Sequence, residues 1–130
     1  MIMEMNNIVV RLKNNRVFKG KTNDFFSEKP SFHLKKLDGE IIGIHLEQLK
    51  AVFFVKDIHG DETRMDSYND NFHGVGEKLK CTFYDGESIT GYSLDYSPTR
   101  HGFYMIPASS KGNNKHIFVV NSAIKNVEFL

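Results

Sequence analysis

What this sequence lacks narrows its function more than what it contains. Its longest uninterrupted apolar run is Ala51 to Val55, far short of the roughly 20 residues that a membrane helix needs. No membrane partner is expected. The only cysteine, Cys81, rules out an intrachain disulfide framework and suits a reducing compartment, so the expected location is cytoplasmic. The opening MIMEMNNIVV carries an acid and has neither the basic nor the long apolar region of a signal peptide. Charge of one sign is missing too. The 17 Lys and Arg are balanced by 16 Asp and Glu, so no global field draws the chain to a polyanion, and any such partner needs a local patch.

Chemical motifs are equally scarce. The histidines at positions 33, 45, 59, 73, 101 and 116 never fall into the short paired spacings of zinc ligands, and neither HExxH nor CxxC occurs. GESITG has no terminal lysine and continues as strand rather than helix, which excludes a P-loop and a dinucleotide fingerprint. Asp85 and Glu87 are the nearest carboxylate pair in the second half, but Asp85 precedes Gly86, a combination that a tight turn itself favours. Cys81 alternates with Leu79 and Phe83 on an inward face, as a buried, inert thiol does. Ser97 to Arg100, SPTR, followed by His101, reads as a proline-directed turn, with anion binding as the sharper alternative. No catalytic residue, metal or cofactor is therefore predicted, and the protein is read as non-enzymatic.

What is present is a tandem duplication. IVVRLKNNRVFKGKTNDF, Ile8 to Phe25, aligns with LKCTFYDGESITGYSLDY, Leu79 to Tyr96, at a shift of 71 positions. After the loop Ser109 to Asn114 the relation resumes at a shift of 75, where Ile42, Ile44, Leu49, Lys50, Val52 and Phe54 meet Ile117, Val119, Ile124, Lys125, Val127 and Phe129. Both copies alternate apolar and polar residues, the pattern of strands with one buried face. Asn14-Asn15 and Asp85-Gly86 mark hairpin turns, Gly20 and Gly91 mark mid-strand bends, and LEQL and NSAI leave room for one turn before a fifth strand. The predicted fold is all-β, with two tandem five-stranded small barrels: residues 1–56, an acidic connection at 57–76, and residues 77–130. That connection, rich in Asp and Glu, lacks the ligand spacing of a calcium loop.

Each copy resembles the Sm-like, or more broadly SH3-like, small barrels. YDGESITGYS resembles the first Sm motif and VVNSAIKNVEFL the second. That resemblance implies an RNA-binding relative, although the Arg-Gly turn typical of the family is replaced by Leu46-Glu47 and Asn121-Ser122. GFYMIPASSKGNNKHIFVVNSAIKNVEFL also resembles an uncharacterised bacterial group with a similar small β-domain.

Two surfaces follow as candidates. Phe53 and Phe118 point outward if their neighbours point inward, and with Phe25 and Phe26 at a strand end they are expected to dock a protein partner or a second copy of the chain. Lys13, Arg16, Lys19 and Lys21 line the first hairpin, with Lys35 and Lys36 nearby. They supply the alternative, RNA or single-stranded nucleic-acid binding.

Overall fold

The computed structural model describes residues 5–56, 76–108 and 114–130. Most of the acidic connection, residues 57–75, lies outside the described residues. The first copy forms β1 (Asn6–Leu12), β2 (Val17–Thr22), β3 (Ser31–Lys36), β4 (Ile41–His45) and β5 (Leu49–Val55), with one 3-10 turn at Leu46–Gln48. The second repeats it as β6 (Glu77–Phe83), β7 (Ser88–Ser93), β8 (Gly102–Pro107), β9 (Asn114–Val120) and β10 (Ile124–Phe129), its 3-10 turn at Asn121–Ala123.

Local chemistry explains these elements. Asn15 at φ 71° and Gly86 at φ 91° take the left-handed corner of their hairpins, a conformation that Asn and Gly adopt at low cost. The duplication extends to individual hydrogen bonds. Leu12 N–H donates to Arg16 carbonyl and Phe83 N–H to Glu87 carbonyl. The Asp24 carboxylate accepts from the Thr22 hydroxyl and His33 N–H, and Asp95 accepts from the Ser93 hydroxyl and Tyr104 N–H. A Cβ at Gly20 would run into the carbonyl oxygen of Lys35, and one at Gly91 into that of Ile106. Glycine is what lets the second and third strands approach there.

The ten strands form one antiparallel sheet in the order β10-β6-β7-β8-β9-β5-β1-β2-β3-β4. Where two tandem barrels were expected, the strands of both copies run in one open sheet: β5 pairs with β1 on one side and with β9 of the second copy on the other, Val52 opposite Phe118 and Phe53 opposite Ile117. All seven residues of β5 are buried. Its two faces serve different cores. Val52 and Phe54 join Ile8, Val10, Phe32 and Leu34 in the first, while Ala51, Phe53 and Val55 join Leu79, Cys81, Phe83, Phe103 and Met105 in the second. Strand β9 is crossed over in the same way, with Ile117 and Val119 in its own core and Phe118 and Val120 in the other. Burying each phenylalanine contributes roughly 1.5–3 kcal/mol, which is why the apolar outer faces of β5 and β9 find each other.

Candidate functional site

Of the four aromatic residues expected to meet a partner, the structure covers two within the chain. Phe118 is fully buried and Phe53 nearly so. Phe25 is half-buried, its ring edge-on to Phe32, Phe54 and Phe118 at 5.0, 5.6 and 5.1 Å. Only Phe26 is exposed, with the Lys29 ammonium 4.7 Å from its ring centre.

The basic residues divide differently. Lys13 donates to the Ser122 hydroxyl at 2.7 Å, and the Arg16 guanidinium lies 5.0 Å from the Phe18 ring. Lys36 pairs with Glu40 at 2.8 Å and Asp38 at 3.7 Å; the Glu40 hydrogen bond raises its ammonium above the ordinary range. Lys19, Lys21 and Lys35 are exposed, and none pairs with an acid among the described residues. Lys21 and Lys35 are directly opposite each other across β2 and β3. Like charges so placed repel, so the arrangement costs stability until an anion screens it. The surrounding copy is basic as well, with ten Lys and Arg against six Asp and Glu over residues 1–56. The exposed side of β2, β3 and β4 is the candidate site.

A second cluster lies in the seam between the copies, and sequence reasoning missed it. Lys50, with 4% of its side chain exposed, bonds Asp85 at 2.8 Å and Glu87 at 3.2 Å, while its ammonium sits 4.7 Å from the Phe83 ring centre. Arg11 completes the group on Glu87 at 2.9 and 3.3 Å. The Lys50 hydrogen bond, with the Glu87 N–H, holds the Asp85 carboxyl below the usual carboxylate range. The signal was available: a lysine inside LKAVFFV, a strand apolar on both faces, needs an acid beside it. The adjoining cavity, lined by Lys13, Tyr84 and Ser122 among others, holds about 100 Å³, well below the roughly 300 Å³ where ligand pockets begin. Neutralised acids beside so small a space make a latch between copies.

On another side of the seam lies a larger cleft of about 310 Å³, lined by His45 and Glu47 from one copy and by Arg100, His101 and Ser122 from the other. It adjoins a second hollow that shares Arg100 and His101 and includes Glu28 and Asp95. Among the described residues no group of three or more His, Cys, Asp or Glu is arranged to hold a metal ion. Cys81 is fully buried against Met105, its sulfurs 3.6 Å apart, and burial pushes the thiol up to about 11.

Fold and surface together define an all-β protein in which a duplicated five-strand unit is fused into a single sheet with one basic outer face. No helix among the described residues is long and apolar enough to cross a membrane. The chain belongs to a family of unknown function, DUF6982, whose profile matches residues 4–130. No curated protein and no solved structure matches it.

Proposed function

We propose that the protein is a non-enzymatic module that binds single-stranded nucleic acid, RNA in particular, on the exposed side of β2, β3 and β4. The observation that carries this reading is the Lys21–Lys35 pair, two unneutralised like charges in register, with Lys19 beside them on β2. A phosphate backbone is the anion that spans several such positions at once. The reading of each half as an Sm-like small barrel agrees with this choice, since that resemblance implies an RNA-binding relative. Docking of a protein through the aromatic residues has less support. Phe53 and Phe118 are occupied within the chain, and of the four only Phe26 is left exposed.

Three lysines neutralising three phosphates give a slope of log K against log salt of about −2 for a single strand. Titration of a labelled RNA oligonucleotide at several salt concentrations measures it. Replacing Lys21→Glu and Lys35→Glu should flatten the slope to about −0.7 or less. An unchanged slope, or no binding by the native protein at low salt, refutes the proposal.

A further inference from the structure

The lysine face offers phosphate contacts, but the exposed ring on it, His33, is tied to the Asp24 carboxylate at 2.6 Å. Its neighbouring side chains lead elsewhere. Along β3 and β4 the exposed pairs are Lys35 opposite Ile41, His33 opposite Gly43, and Ser31 opposite His45. With a rise of about 3.4 Å per residue, the His45 row lies roughly 14 Å from the Lys21–Lys35 pair. His45 also lines the 310 Å³ cleft, so the face and the cleft are continuous.

The far wall of that cleft is held in place. The Asn121 side-chain amide donates to the carbonyl oxygens of Ser97 at 2.7 Å and Arg100 at 2.9 Å, and its backbone N–H donates to His101 carbonyl at 2.9 Å. In the first copy the aligned residue is Leu46, a buried apolar side chain without an amide to donate. The Leu46 N–H repeats only the backbone bond, to Pro30 carbonyl at 2.9 Å, so the side-chain staple is particular to the second copy, and it fixes the backbone that carries Arg100 and His101. Neither they nor His45 are paired with an acid among the described residues.

We propose that this cleft is a base-binding subsite, in which one nucleotide of a strand lying on the lysine face turns inward. The inference rests on the nucleic-acid reading above. The planar groups of His45, His101 and Arg100 supply stacking surfaces, and the Glu47 carboxylate accepts an N–H from the edge of the base. Asn121 is a positioning residue that acts through the Arg100 loop.

The test compares an RNA oligonucleotide with an abasic strand of equal length and phosphate count, by fluorescence anisotropy. Native protein should bind the intact strand about tenfold more tightly, the worth of one stacked base. His45→Ala with His101→Ala should remove that preference and leave the salt slope unchanged; both side chains are exposed, and circular dichroism verifies that the fold is kept. Asn121→Leu should reduce the same ratio. Equal, salt-sensitive binding of both strands by native protein, or a preference that survives the double substitution, overturns the cleft alone. Binding of neither strand overturns the nucleic-acid reading and the cleft with it.

Discussion

Phe118→Ala is the substitution that tests most directly how the two copies are joined. Phe118 comes from β9 of the second copy, yet it is fully buried in the first core, with its ring 5.1 Å from both Phe25 and Tyr104. Removing a buried phenylalanine loses its transfer energy, leaves a cavity and abolishes two edge-on aromatic contacts, in total about 3–5 kcal/mol. With a urea dependence on the order of 2 kcal/mol per molar, the unfolding midpoint should fall by roughly 1.5–2.5 M. Two probes weight the halves differently. No tyrosine lies in residues 1–56 and, although Tyr104 packs on the first core, Tyr84, Tyr92 and Tyr96 lie in the second copy, so tyrosine fluorescence is weighted to that copy, whereas far-UV circular dichroism follows both. Because β5 and β9 each contribute to both cores, the two signals should give one shared midpoint in native protein and in the variant. Separate midpoints, or a variant less than about 1 kcal/mol weaker, would refute the argument that these strands fuse the copies.

Three further outcomes follow from single positions. Gly91→Ala should destabilise by about 1–3 kcal/mol in the same titration, because the new methyl meets the Ile106 carbonyl oxygen, and backbone yields less readily than a side chain. Cys81 should react with a thiol reagent such as DTNB only at the rate of unfolding, since it is buried and its thiol is raised to about 11; prompt labelling of folded protein would contradict its placement. Burial, helped by Lys115, lowers the His116 imidazole, whose ring stacks on Phe54 at 4.3 Å. The unfolded chain then binds this proton more readily than the folded one, so the contribution to stability is lost as pH falls through about 6.5. Thermal melts should show a lower midpoint at pH 5 than at pH 7, and His116→Gln should shrink that difference; an equal pH dependence in the variant would rule His116 out as its source.

Much of the scaffold was legible because short-range chemistry determines it. Asn15 and Gly86 mark hairpin corners through their backbone freedom, Ile8 and Val10 declare an inward face by alternation, and LEQ and NSA span one turn in both copies. The period of two tells which residues share a face but not what covers it. Phe53 and Phe118 were therefore legible as apolar and outward, while their burial against the other copy depends on a pairing between strands far apart in the chain. The same limit hid the polar features. Lys50 and Asp85 are 35 residues apart, and the cleft is assembled from a strand end at His45 and a loop at Arg100.

The duplication also shows how a repeated unit comes to be joined at one place and not at others. The outer edges of the sheet are β4 and β10, the counterparts of β9 and β5, so the internal junction has a potential copy of itself at each end. The residues that make the junction apolar are absent there. By the alignment, Glu128 stands where β5 has Phe53, and Gly43 and His45 stand where β9 has Phe118 and Val120. All three are exposed. The latch is missing as well, since Asn14 and Arg16 occupy the positions of Asp85 and Glu87, and an Arg16 brought up to Lys125 would repel it instead of neutralising it. Ile41, Phe129 and Leu130 remain exposed at the two edges, but these three side chains cannot replace the double-sided core that β5 and β9 share. Divergence between the copies has thus done opposite things to equivalent strands: it made one pair of edges apolar and complementary in charge, and it gave the other pair the polar, unpaired character by which edge strands resist association.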